Sequence, residues 1–473
     1  MRECLLPLLL LLVPLPAAAE TVDQAIASAP PGTRIGLLVV DDDGREIAAI
    51  RADERFVPAS NTKIFTTVAA YATLDTEAPD AAGGASVRLD GRDVVLTGHG
   101  DARLSSLDGC TSDCLADLAR AVAARTRVVG DVIGDDTAFP DERWPAGMSW
   151  NNMAGQYGTA VSALTIDDNV IVLTVSPGSD IGAPAIVTGD GYFRIDSRIT
   201  TSAPGTTPDL GFARLPGSDM LRLTGTIPAG TAPRSLTVGI DDPAHRAAWR
   251  LAALLRAAGV RVTGRITSRH RPLTPDDDPG TRGNAPVARP PEPVALARLT
   301  PPPLAQDILH TNKVSQNLHA ELLLRRVGAV GGAGSVADGQ ARVTAILTAA
   351  GVGPAGYDFA DGSGMSNYNR ITPRAAVRLL RWAAVQPWGA AWRATLPVGG
   401  QDGTLARRFA NTPLAGKLFA KTGTLNAANA LSGYLIAASG RTLTFSALAN
   451  DMPQDASATR AVDRALLAIA AAH

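Results

Sequence analysis

Strand-like runs stand near both ends of this chain, and that arrangement constrains the fold more than any other feature. Near the start, "RIGLLVVDDDGREIAAI" holds two apolar runs on either side of Asp43-Gly44, a hairpin signal. Near the end, "LAGKLFAKTGTLNAANALSGYLIAASGRTLTFSALAND" reads as three strands joined by tight turns. Between them lie helical runs such as "LHAELLLRRVG" and "TPRAAVRLLRWAAVQP", and an Ala-rich helix follows from about Ala456 to Ala472. The simplest arrangement is one antiparallel sheet built from both ends and flanked by helices. The expected fold class is therefore α/β in the α+β sense.

The middle of the chain does not fit that plan. From residue 78 to about 287, short Val- and Leu-rich strands such as "NVIVLTVSPGSD" and "RSLTVGIDD" alternate with Gly, Asp and Pro turns. A helix, "HRAAWRLAALLRAAGV", presents Trp249, Leu251, Leu254 and Leu255 as its core stripe. A Pro-rich passage, "APVARPPEPVALARLTPPPL", follows. At 473 residues the chain exceeds one ordinary core. The expected organisation is one domain formed by 20–77 and 288–473. Residues 78–287 are a β-rich insertion of one or two nested subdomains.

Residues 1–19 read as a secretory signal: one Arg, a Leu-rich run, then Ala17-Ala18-Ala19 as a small-residue cleavage site. An exported, periplasmic protein is expected, at most peripheral to membrane or wall, with no transmembrane segment in the mature chain. Two cysteines then remain, Cys110 and Cys114, and export favours a disulfide between them. A metal site is the weaker alternative, because two thiols without nearby His leave a tetrahedral shell incomplete. The six His show no ligand-like spacing. A formal net charge of −1 and 4% aromatic residues exclude a nucleic-acid surface.

Among 44 Lys and Arg, only four are Lys: Lys63, Lys313, Lys417 and Lys421. Arg stays protonated, whereas a desolvated Lys can lose its proton, so a Lys kept in an Arg-writing chain marks a base or a compact point charge. Three of the four sit beside small polar residues. Ser60-Asn61-Thr62-Lys63 is a Ser-x-x-Lys, with Ser60 placed to cap a helix whose apolar stripe is Ile64, Val68 and Tyr71. Lys313 precedes Ser315-Gln316-Asn317, a Ser-x-Asn. Lys421-Thr422-Gly423-Thr424 is a Lys-Thr-Gly on a strand. Each motif alone is weak; in this order they form the set of penicillin-binding proteins and related β-lactamases.

With these motifs the chain resembles the penicillin-binding D-alanyl-D-alanine carboxypeptidases of serine peptidase family S13, the class C low-mass group of penicillin-binding protein 4 type. "VSALTIDDNVIVLTVSPG", "GDVIGDDTAF", "HTNKVSQNLHAELLL" and "DGSGMSNYNRITP" carry the likeness, as do the 255 positions separating Ser60 from Ser315. The resemblance implies Ser60 as nucleophile, Lys63 as its base and Ser315 as proton carrier to the departing amine. It implies Asn317 as a ligand of the substrate amide and of Lys63. Lys421, Thr422 and Thr424 would bind the substrate carboxylate, and Gly423 would let the strand approach. The amides of Ser60 and Thr424 would form the oxyanion hole. The implied reaction is hydrolysis of D-Ala-D-Ala bonds in peptidoglycan stem peptides through an acyl-enzyme, with D-Ala-diaminopimelate crosslinks as a second substrate. β-Lactam antibiotics are expected inhibitors, and no metal or cofactor is implied. A β-lactamase or esterase with the same motifs, distinguished by fast deacylation, and a non-catalytic binder of cell-wall peptides are the alternatives. Ser363 in "DGSGMS" has no base near it in sequence and reads as scaffold. Lys313 reads as support for the Ser-x-Asn turn, and Lys417 as a solvated strand-edge residue.

Overall fold

The computed structural model describes residues 20–473 apart from 284, 286, 288 and 290; the signal segment 1–19 lies outside the described residues. The sheet does join the two ends of the chain. Its five strands run in the order Leu418–Leu425, Ala428–Ile436, Thr442–Asn450, Arg34–Val40, Glu46–Ile50, each antiparallel to its neighbour. Arg34–Val40 is apolar at successive positions because both of its faces are covered. Leu37 and Val39 pack with Leu431, Phe445 and the Thr459–Ala472 helix, while Leu38 and Val40 pack with Val377 of the Pro373–Ala384 helix. On that second side lies the largest core. It gathers the helices Thr62–Thr73, Leu304–Val314, Asn317–Ala329 and Pro373–Ala384 around Ile64, Val68, Ile308, Val327 and Leu380.

The middle of the chain builds two further cores. The first is a five-stranded sheet ordered Ile266–Arg271, Val132–Pro140, Asp93–Thr97, Ser86–Asp90, Ala297–Arg298. The helices Leu115–Arg125 and Pro243–Ala257 cover it, burying Leu118, Val122, Leu251 and Leu255. Trp249 and Leu254 of the expected stripe are only partly buried, and Trp249 instead packs edge-on against Tyr192. The second core is nested within the first. Strands Val170–Ser176, Arg234–Gly239 and Met220–Pro228 and their neighbours enclose Leu173, Val175, Leu221, Leu223 and Val238. The Pro-rich passage is not a free spacer: Ala297–Arg298 pairs with Ser86 and Val87, so the insertion's sheet extends past residue 287. We propose that the insertion comprises two nested units and ends after this strand. The sulfurs of Cys110 and Cys114 are joined, with their Cα atoms 5.7 Å apart, just before the Leu115–Arg125 helix. Among the described residues no helix is long and apolar enough to cross a membrane.

Candidate active site

Ser60 does not cap the helix. It sits inside a single 3-10 turn, Ala59–Asn61, and the helix begins at Thr62 with Asn61 at its cap position and no side-chain cap bond. The turn is strained: Ala59 has φ +47°, a left-handed conformation that non-glycine residues rarely adopt. Freed from capping, the Ser60 hydroxyl points to Lys63, whose Nζ lies 2.9 Å from Ser60 Oγ. The helix buries almost every side chain it carries, Lys63 included.

Lys63 Nζ also donates to Asn317 Oδ1 and to the Ser363 carbonyl, each at 2.6 Å. Burial lowers the Lys63 ammonium from its usual 10.5 to about 7, against the opposing pull of the Asp361 and Glu321 carboxylates. Lys421 is equally buried and is pushed well below the ordinary lysine range, first by burial and then by the charge of Lys63. Asp361 is itself raised to about 6 by burial and by Glu321.

The other two motifs meet the first. Ser315 ends the Leu304–Val314 helix in a left-handed conformation, φ +65°, which turns the chain into the Asn317–Ala329 helix. Lys421 Nζ donates to Ser315 Oγ at 2.9 Å and to the Thr422 carbonyl at 2.9 Å. Asn61 Nδ2 donates to the Lys421 carbonyl at 2.8 Å, fixing the serine turn to the edge strand. Gly423 is needed here for a reason more specific than an open cleft. A Cβ at this position would lie 2.7 Å from the Pro58 carbonyl and 3.1 Å from the Asn61 nitrogen, within the turn that presents Ser60. Thr422 Oγ1 hydrogen-bonds Thr404 Oγ1 at 2.7 Å, and Thr424 is exposed at the end of the strand.

Four contributors were not anticipated in these roles. Ser363 enters through its carbonyl rather than its hydroxyl. Glu321 accepts from the amides of Gly362 and Ser363, and Asp361 accepts from those of Gly364 and Ser366, so both hold that turn. The fourth is Tyr157 of the insertion, whose carbonyl accepts from Asn317 Nδ2 at 2.8 Å. "DGSGMS" and "NLHAE" carry a signal for the first three; nothing marks a backbone carbonyl 160 positions away. Lys313 ties the Ser315 turn to Asp402 at 2.7 Å and to the Leu396 carbonyl, and Lys417 is exposed just before the edge strand.

A hydroxyl against a buried, neutralisable amine, faced by a second buried lysine and walled by a serine–asparagine turn, is an arrangement chemically suited to serine–lysine acyl transfer of the penicillin-interacting kind. The sheet-and-helix frame around it belongs to the same class. The chain belongs to the D-Ala-D-Ala carboxypeptidase 3 (S13) family, which it matches over residues 18–473. It is a serine-type peptidase. It is 34% identical over 445 residues to a D-alanyl-D-alanine carboxypeptidase of Actinomadura sp. (strain R39), spanning 89% of this chain and 78% of that one. A penicillin-sensitive carboxypeptidase A of Dictyostelium discoideum is 24% identical, with 85% of this chain and 79% of the other covered. The crystal structure of penicillin binding protein 4 from Haemophilus influenzae superposes with a TM-score of 0.79 at 20% identity, covering 94% of this chain and 98% of that one, and shares the fold. The same protein has also been solved in complex with a β-lactam.

Proposed function

We propose that the chain is an exported, periplasmic D,D-carboxypeptidase that trims the terminal D-Ala from peptidoglycan stem peptides and also cuts D-Ala-diaminopimelate crosslinks. The contact that carries this reading is the 2.9 Å approach of Lys63 Nζ to Ser60 Oγ in a site that buries the amine. A neutral Lys63 takes the hydroxyl proton as Ser60 Oγ attacks the carbonyl carbon of the penultimate D-Ala. The amides of Ser60 and Thr424 hold the resulting oxyanion; one such donor is worth about 3 kcal/mol of transition-state stabilisation. Ser315 passes a proton to the departing amine, D-Ala leaves, and water then cleaves the Ser60 ester.

Lys421, Thr422 and Thr424 hold the substrate's terminal carboxylate. That carboxylate draws a proton onto Lys421, which keeps its neighbour Lys63 neutral, so substrate binding itself prepares the base. Asn317 orients Lys63 and receives the substrate amide. Penicillins acylate the same serine.

Labelling with a fluorescent penicillin, digestion and mass analysis tests the assignment. The adduct is expected on the peptide containing Ser60, with slow deacylation and with D-Ala released from a pentapeptide. An adduct elsewhere refutes the serine; rapid penicillin turnover without D-Ala release identifies a β-lactamase instead.

A further inference from the structure

The two helices that meet at the Ser315 turn each carry a histidine facing the insertion. His310 lies in the Leu304–Val314 helix and His319 in the Asn317–Ala329 helix. Their rings are 5.0 Å apart, centroid to centroid. Asp168 reaches them from the insertion, with Oδ1 3.0 Å from His319 Nε2. One ligand atom from each of the three residues lies within 4.8 Å of the others.

We propose that Asp168, His310 and His319 bind a divalent transition-metal ion, zinc by ligand type, which clamps the insertion to the Ser315–Asn317 turn. Two imidazoles and a carboxylate, with water as fourth ligand, form a common zinc donor set, with ligand atoms about 2.0–2.2 Å from the ion. Neighbouring ligands in such a tetrahedron lie roughly 3.3 Å apart. Asp168 and His319 are close to that spacing at 3.0 Å, and the His310 ligand atom lies within 4.8 Å of both.

Two further observations bear on this site. His319 is buried, yet its Nδ1 makes no hydrogen bond among the described residues; the nearest carboxylate, Asp307 Oδ1, is 3.5 Å away. Close by, Asp101 and Asp113 are buried with carboxylate oxygens that have no hydrogen-bond partner among the described residues, while Arg103 pairs with Asp307 in the same neighbourhood. A protonated His319 alone would satisfy Asp168 and Asp307, but it does not account for a second imidazole placed against it.

The test is titration of the intact, metal-stripped chain with zinc by calorimetry, and with cobalt by visible absorption. One ion per chain is expected, with the d–d bands of a four-coordinate cobalt site and a raised melting temperature. His310→Ala, and His310→Phe, which keeps a ring against His319, are each expected to weaken binding by more than the roughly 10–100-fold typical of losing an outer-shell partner. Their circular dichroism without metal is expected to match the parent chain. Absence of zinc binding by the parent chain at about 1 mM, or variants that bind as tightly as the parent, overturns the proposal. The parent titration decides the matter even where a variant fails to fold.

Discussion

At the residue scale, the position of one proton dominates. Lys63→Arg keeps a cation but removes the base, because a guanidinium does not give up its proton at working pH. Acylation by penicillin is expected to slow by about 10²–10⁴-fold, the usual worth of general-base catalysis, with the melting temperature measured alongside to separate chemistry from folding. The pH profile follows from the same group. Lys63 must be neutral to act and loses its proton at about 7 when folded. The second-order acylation rate should therefore climb as pH rises and reach half its plateau near pH 7; a rate flat from pH 5 to 9 contradicts the role. Ser60, Lys63, Ser315, Asn317 and Lys421 stood out in the sequence through their motifs, and the structure brings them together. The Tyr157 and Ser363 carbonyls did not, since every residue carries the same carbonyl and only the fold selects which one is used. His310 and His319, nine positions apart, look unrelated until the left-handed Ser315 folds one helix back on the other.

At the scale of elements, the decisive contact is the edge strand against the serine turn. Gly423→Ala places a methyl 2.7 Å from the Pro58 carbonyl. Overpacking of this kind costs about 1–3 kcal/mol, and here it displaces the turn that holds Ser60. Penicillin acylation measured by stopped flow should fall more steeply than stability measured by denaturant. A second junction lies where the chain enters the insertion. Asp80 accepts from both terminal nitrogens of Arg326, on the Asn317–Ala329 helix, and both side chains are buried. Asp80→Ala leaves a buried guanidinium without this partner, and urea unfolding should show a loss of about 3–5 kcal/mol. Strands and helices were readable from their apolar periods. The beginning of the serine helix was not, because Ala59 adopts a backbone conformation its side chain does not favour. The role of Ala297–Arg298 was hidden too: two residues inside a Pro-rich run carry no period, and only their partner strand makes them part of a sheet.

At the scale of the whole molecule, the insertion is both a folded unit and a wall of the site. Its disulfide closes a short loop, so the chain-entropy model assigns it at most about 2 kcal/mol. Mild reduction is expected to lower the melting temperature slightly and leave penicillin labelling of Ser60 unchanged; complete loss of labelling would show that Cys110–Cys114 reaches the site. The frame itself, one sheet drawn from both ends, was apparent in the sequence because hairpin and meander are local patterns. The proposed nesting of two units within the insertion was less so, because their strands are short, similar and paired with distant partners. That frame has a consequence for biogenesis. Strand Arg34–Val40 occupies an interior place in the sheet, and the neighbour on one side, Thr442–Asn450, lies far downstream in the chain. Until that strand pairs with it, the first hairpin keeps an unsatisfied edge, a topology that folds slowly and tempts aggregation. A chain cut short before strand Leu418–Leu425 would hold its serine motif and still lack both the sheet that supports it and the edge lysine opposite, so competence waits on the distant strands.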